Sequence, residues 1–186
     1  MVGVAPLVAE IDAGLADAAF GAALRQAARD ASCFLISGDL SAPIGRDAEW
    51  IALLAETPVL PVVVAEGAVG LRGLALMLLA DLAFAGPDAR WAGSEHASLS
   101  ELAAIRLGPL AARQMAMSSD PVAALVAAGQ VARVDDPLNM ARAQAVALTG
   151  TAQRLRRGWR AARDLPNDEA LTYGGWFNAV ETKEEV

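Results

Sequence analysis

The segment EGAVGLRGLALMLLAD, residues 66–81, combines a glycine-rich turn, a single arginine and a dense apolar run. Its glycines surround Arg72, and the apolar residues that follow have helical spacing and end at Asp81. An arginine at the start of a buried helix has two interpretations. Its guanidinium either reaches solvent or pairs with an acid of the protein, or it contacts a carboxylate or phosphate of a substrate.

Other kinds of chemistry are limited by the residues that the chain lacks. Because the 186 residues include one cysteine, Cys33, and one histidine, His96, we expect neither an intramolecular disulfide nor a metal site built on these side chains. A formal net charge of -7 argues against nucleic-acid binding and against an anionic membrane surface. The glycines at 67, 70 and 73 lack the G-x-G-x-x-G spacing of a dinucleotide fingerprint.

The length and hydropathy pattern predict one domain in the cytoplasm. A chain of 186 residues can bury a sizeable core. The longest apolar zone, residues 58–85, is interrupted by Glu66, Arg72 and Asp81, so no membrane span is expected. The first residues, MVGVAPLVAEID, lack the basic start of a secretory signal.

Short apolar runs alternate with stretches of helical spacing, a pattern typical of an α/β fold. We predict strands at residues 32–37, 59–65, 82–85 and 131–134. We predict helices at residues 9–30, 47–56, 74–80, 98–117 (with a break near Gly108), 121–128 (ending at Gly129) and 138–163 (with an interruption at Gly150). The continuous β-branched run VVV at 62–64 indicates a strand covered on both faces, as in a parallel sheet.

Several ordered segments resemble the crotonase (enoyl-CoA hydratase/isomerase) family, over about residues 20–150. They are LISGDL at 35–40, VVVAEGAVGLRGLALMLLADLAFAGPDARW at 62–91, RLGPLAARQM at 106–115 and AALVAAGQVARV at 123–134. The resemblance implies an α/β fold, a crotonase-like spiral of ββα units with a helical C-terminal region. It divides the chain into a shortened core at 1–137 and helices at 138–186 that serve oligomerisation.

The resemblance also implies a type of chemistry. Members of this family bind an acyl thioester and stabilise its enolate oxygen with two backbone N–H groups, an oxyanion hole. By position these donors are Gly38 and Arg72, and Gly73, Trp91 and His96 are expected to contact the substrate. No metal or separate cofactor is implied, because the thioester is carried by coenzyme A or by the phosphopantetheine of a carrier protein, as in secondary metabolism.

The family's hydratases use two glutamates, and this chain retains one of them. The resemblance aligns the first with Ala75 and the second with Glu95. A single carboxylate is similar to the family's enoyl isomerases, in which one acid/base moves a proton between the α and γ carbons. Glu95 is therefore the predicted catalytic residue. The alternatives are that Glu95 is a solvated loop residue and that His96 is polar surface.

Two functions stay open at this point. Glu95 and the two N–H donors favour an enoyl-CoA isomerase/hydratase-like enzyme. The alanine at 75, the altered glycine cluster and a short segment after Glu95 favour a catalytically impaired subunit that assists a partner enzyme. The resemblance implies a trimer-based homo-oligomer or a hetero-oligomer with a fuller-length homologue. The aromatic group of Tyr173, Trp176 and Phe177 is a candidate interface or lid, or a cap on the domain's own core.

Overall fold

A computed structural model describes residues 7–45 and 48–164. The strands in this part of the chain are β1 (Leu7–Asp12), β2 (Ala31–Ser37), β3 (Leu60–Ala65), β4 (Ala68–Val69), β5 (Leu82–Ala85), β6 (Arg90–Trp91) and β7 (Ala132–Arg133). The α-helices are α1 (Asp17–Ala27), α2 (Trp50–Glu56), α3 (Leu71–Leu79), α4 (Ser100–Leu107), α5 (Pro109–Met117), α6 (Pro121–Ala127), α7 (Pro137–Leu148) and α8 (Ala152–Asp164). A turn of 3-10 helix, Ala97–Leu99, precedes α4. The aromatic group of Tyr173, Trp176 and Phe177 lies outside the described residues.

The strands form two sheets, and the pairing in both is parallel. The large sheet has the order β1-β2-β3-β5-β7, and β4 and β6 form a separate pair. The chain thus places β3 in the large sheet and β4 in the small one, crosses through α3, and repeats the sequence with β5 and β6. This repetition, followed by the helices α7 and α8, confirms the predicted α/β spiral of ββα units.

Alternate residues of the central strands face two different layers of helices. In β3, Val63 and Ala65 pack into the cluster that includes the apolar residues of α1, α2 and α3. Val62 and Val64 face the other way, into a cluster that includes Ala141 of α7. Because both faces are covered, every position of the strand is apolar and the usual alternation is absent.

Helix α3 is the most completely buried helix of the described chain. Eight of its nine residues, from Arg72 to Leu79, are buried. A helix with no polar face must lie inside the fold, where neighbouring elements surround it. No helix among the described residues combines enough length and apolarity to cross a bilayer.

The predicted helix at residues 9–30 is wrong at its start, because residues up to 12 form strand β1. This strand pairs in parallel with β2, with Ile11 opposite Ile36. The N–H of Gly14 then donates to the Asp12 carboxylate at 2.8 Å and forms a tight turn before α1 begins. Pairing with a distant strand therefore overrides the local helical spacing of the alanine-rich sequence.

The predicted helix breaks at three glycines are confirmed. Gly108 has φ of 81° between α4 and α5, and Pro109 opens the second helix. Gly129, with φ of 74°, follows α6, where its N–H donates to Val126 and the N–H of Gln130 donates to Leu125. This pair of bonds is the Schellman ending. Gly150 lies in the turn between α7 and α8.

Two of these glycines give a matched test of backbone conformation. A Cβ at either Gly129 or Gly150 would meet no atom within 4 Å, but only Gly129 has a positive φ. We expect Gly129→Ala to lower the free energy of unfolding by about 1 kcal/mol. Gly150→Ala should leave it unchanged or raise it by up to about 1 kcal/mol. Urea denaturation of both variants measures the difference, and equal effects would contradict the proposed cap.

Candidate active site

Two segments that are far apart in sequence meet at the carbonyl oxygen of Leu40. This oxygen accepts hydrogen bonds from the N–H groups of Gly70 at 2.9 Å and of Gly73 at 3.2 Å. Leu40 belongs to the loop that leaves β2, Gly70 is the N-cap of α3, and Gly73 lies in the first turn of that helix. The exit of β2, which carries Gly38, is therefore attached directly to the turn that carries Arg72.

The glycines at 70 and 73 are required by this close approach. A Cβ at Gly70 would lie 2.7 Å from the carbonyl oxygen of Ser41, and one at Gly73 would lie 2.7 Å from the Cβ of Leu40. Neither glycine has a positive φ, so the constraint is contact with the β2 exit loop rather than backbone conformation. Gly73 thus acts in this structure as a packing position, and its predicted contact with substrate stays a prediction.

Gly38 is needed for a different reason. Its φ is 107°, and a Cβ there would collide with the carboxylate of Asp12. The loop beyond it is held by Asp39, which accepts hydrogen bonds from the hydroxyl of Ser41 at 2.6 Å and from its N–H at 2.8 Å. These bonds lower the pKa of Asp39, which therefore stabilises the loop as a carboxylate.

The side chain of Arg72 points into the protein. It is 3% exposed, and its guanidinium pairs with Asp17 and donates to the carbonyls of Ala13 at 2.9 Å and of Leu15. Pairing with an acid of the protein is therefore the interpretation that the structure supports. A contact between this guanidinium and a substrate anion is excluded by the burial.

The backbone N–H of Arg72 lies in the first turn of α3, where helical N–H groups have no partner within the helix. Within the described chain, neither this N–H nor that of Gly38 has a hydrogen-bond acceptor. Free N–H groups at a helix N-terminus favour negative charge nearby. Leu40 joins the segments that carry the two predicted donors, and their role as an oxyanion hole stays a prediction.

Glu95 lies shortly after strand β6. Strand β6 pairs with β4, which leads into the glycine turn before α3. In the small sheet Val69 is opposite Trp91, and the N–H of Ala92 donates to the carbonyl of Val69 at 2.9 Å. Because β4 and β6 are parallel, the segments that follow them leave the small sheet at the same edge. The segment after β4 leads to Arg72, and the segment after β6 leads to Glu95. The side chain of Glu95 is exposed.

The predicted substrate contacts Trp91 and His96 support the loop around Glu95. Their rings meet edge to face, with centroids 5.6 Å apart. A ring nitrogen of His96 lies 3.2 Å from the carbonyl oxygen of Ala116 in α5. The Trp91 ring lies so close to Gly93 that a Cβ there would be 2.5 Å from it. These contacts fix the course of residues 93–96, and a role in substrate binding stays a prediction.

Two clefts lined by described residues lie away from these positions. One, of about 220 Å³, is lined by Ala80, Asp81, Arg106, Gln130, Trp159 and Arg160. The other, of about 580 Å³, runs along α7 and is lined by Val134, Asp135, Asp136, Asn139, Met140 and Ala143. Within the described chain, no three side chains of His, Cys, Asp or Glu come together to hold a metal ion.

Sequence reasoning missed Asp17 and Trp50, which surround the Arg72 guanidinium. The indole N–H of Trp50 donates to Asp17 at 2.7 Å, and the guanidinium carbon lies 5.9 Å from the centre of the Trp50 ring. Asp17 is 55 residues from Arg72, and no local pattern connects them. The available signal was that a buried arginine must have an acidic partner somewhere in the chain.

The same fold occurs in solved structures, although no family model and no curated protein matches the sequence. An enoyl-CoA hydratase/isomerase family protein from Silicibacter pomeroyi is 22% identical, with 92% of this chain and 93% of that chain covered and a TM-score of 0.67. A protein from Magnetospirillum magneticum, described as an enoyl-CoA hydratase/carnitine racemase, is 21% identical (90% and 81% covered, TM-score 0.68). An enoyl-CoA hydratase/isomerase from Marinobacter aquaeolei is 17% identical (89% and 80% covered, TM-score 0.62).

These similarities establish that the chain has the crotonase fold. Sequence identities of this size support no more than the fold, so the function must be argued from the site itself.

The contact at Leu40 predicts that Gly70 cannot be replaced without cost. We expect Gly70→Ala to lower the free energy of unfolding by about 1 to 3 kcal/mol, because its Cβ would overlap the backbone of Ser41. Gly21→Ala in α1 is the control, since its Cβ would have no neighbour closer than 3.7 Å. This control should be neutral or stabilising by up to about 1 kcal/mol. Urea denaturation that finds Gly70→Ala as stable as the parent would contradict the close approach.

Proposed function

We propose that this chain is an acyl-thioester enzyme of the crotonase type that stabilises an enolate. The observation that carries the proposal is the pair of hydrogen bonds to Leu40, which join the Gly38 loop to the Arg72 turn. Two N–H groups on these segments provide the donors that an oxyanion hole requires. The names of the solved structures with this fold, enoyl-CoA hydratases and isomerases, agree with such chemistry.

In the proposed reaction the thioester oxygen accepts hydrogen bonds from the N–H groups of Gly38 and Arg72. The carboxylate of Glu95 removes a proton from the α carbon of a 3-enoyl thioester, and the electron pair moves onto the carbonyl oxygen to give the enolate. The protonated Glu95 then delivers a proton to the γ carbon, the oxygen charge collapses, and the double bond moves to the 2-position. One acid/base residue is sufficient because the reaction takes one proton from the substrate and gives one proton back.

The substrate and its surroundings follow from this chemistry. The acyl group is carried by coenzyme A or by a carrier-protein phosphopantetheine, and the reaction needs no metal or separate cofactor. We propose that Gly73, Trp91 and His96 line the substrate side of the site. We further propose an oligomeric cytoplasmic protein, built on a homotrimer or on a complex with a fuller-length homologue.

A second candidate function rests on Ala75. This residue lies in α3 and is fully buried, and the family resemblance aligns it with the first glutamate of the hydratases. Without a second carboxylate the site has no separate group to activate water. The chain would then be an impaired subunit that binds an acyl thioester and assists a partner enzyme.

Replacement of Glu95 tests the proposal and separates the two functions. The purified protein is assayed with a short 3-enoyl-CoA and a 2-enoyl-CoA, beside Glu95→Gln and the control Glu56→Gln, which changes an exposed glutamate at the end of α2. We expect isomerisation by the parent and the control, and a loss of about 10²- to 10⁴-fold for Glu95→Gln. Equal turnover by Glu95→Gln would contradict the role of Glu95. Binding without turnover by all three proteins would favour the assisting subunit.

A further inference from the structure

The Arg72 side chain connects the two segments that carry the proposed oxyanion donors. Its guanidinium donates to the carbonyls of Ala13 and Leu15, in the loop between β1 and α1. The N–H of Ala13 in turn donates at 2.7 Å to the carbonyl of Ser37, the residue immediately before Gly38. Arg72 thus provides one proposed donor with its own backbone N–H. Its side chain links it to the segment that carries the other proposed donor, Gly38.

An aspartate and two aromatic rings also contact the guanidinium. Asp17 pairs with it, and the same carboxylate accepts from the indole N–H of Trp50 and the N–H of Gly45. The rings of Phe20 and Trp50 are each centred 5.9 Å from the guanidinium carbon, and they meet edge to face at 5.5 Å. Both rings therefore lie on the same side of the guanidinium, and together with the hydrogen bonds they restrict its orientation.

Stability alone does not explain the buried ion pair of Arg72 with Asp17. The Nε–H of Arg72 is buried and has no hydrogen-bond partner among the described residues. An ion pair buried at 3% and 13% side-chain exposure must lose the hydration of both charges. Apolar residues of similar volume often serve stability as well or better in such places. A directional role therefore explains the pair better than its contribution to the free energy of unfolding.

We propose that Arg72 is a positioning residue, whose buried pair with Asp17 fixes the distance and direction between the N–H groups of Gly38 and Arg72. This inference rests on the proposed function, because it concerns the same oxyanion hole. The side chain acts on the reaction only through the backbone that it orients. Loss of the pair should weaken the polarisation of the thioester carbonyl while leaving the binding of the acyl carrier largely intact.

The test is the infrared carbonyl stretch of a saturated acyl-CoA, ¹³C-labelled at the carbonyl and bound to the protein. Hydrogen bonds from two oriented N–H groups polarise the carbonyl and lower its frequency. The variants are Arg72→Met and the double variant Arg72→Met/Asp17→Asn, which avoids leaving a buried carboxylate without its partner. Arg156→Met is the matched control. It removes another buried arginine paired with an aspartate, Asp81, at the opposite end of α3.

For the parent and for Arg156→Met we expect a lowered carbonyl frequency. For both Arg72 variants we expect a frequency close to that of free acyl-CoA, with the dissociation constant changed less than about threefold and kcat lower by about 10- to 100-fold at similar KM. A lowered frequency that persists in the Arg72 variants, or that is lost equally in Arg156→Met, would overturn the positioning role and leave the proposed function standing. No lowered frequency in the parent would overturn the proposed function, and the positioning role with it.

Discussion

Helix α3 is held at both ends by a buried arginine–aspartate pair, and the candidate site depends on the first of them. At its start, Arg72 pairs with Asp17. Immediately after its end, Asp81 pairs with Arg156. Because neighbouring elements surround the helix along its length, clamping its two ends fixes its position along its own axis. In the proposed positioning role, the pair at the start of the helix, Arg72 with Asp17, also sets the direction of the first N–H groups, which the proposed chemistry uses.

The C-terminal end of α3 can be buried because polar side chains from later in the chain bind its last carbonyl groups. Its last carbonyls lack partners within the helix, and side chains from later in the chain provide them. Arg106 donates to the carbonyls of Leu78 and Ala80, and Gln130 donates to those of Met77 and Ala80. Positive charge at a helix C-terminus also stabilises its dipole. An otherwise apolar helix can therefore lie in the core with the carbonyls at its C-terminal end satisfied.

The sequence predicts much of the fold because the informative signals are local. The apolar runs at 32–37, 59–65 and 82–85 identify the central strands, and Gly108, Gly129 and Gly150 mark three helix boundaries. Strand β1 is missed because pairing with β2, and not its own composition, makes residues 7–12 extended.

The candidate site is predicted less completely, since its contacts are long-range. The positions of Gly38, Arg72 and Glu95 come from a resemblance, while the partnership of Arg72 with Asp17 spans 55 residues and leaves no local pattern. The glycines at 70 and 73 look like turn residues in the sequence, but the structure shows that they make room for the β2 exit loop.

The proposed function depends on one step, the formation of an enolate from a bound acyl thioester, whatever the natural acyl chain is. Exchange of the α-protons of butyryl-CoA with D₂O, followed by NMR, tests that step without requiring the natural substrate. The account predicts deuterium at the α carbon at a rate well above that of the protein-free solution, because Glu95 removes the proton and the N–H groups of Gly38 and Arg72 stabilise the resulting charge. Binding of butyryl-CoA with exchange no faster than in the protein-free solution would contradict it.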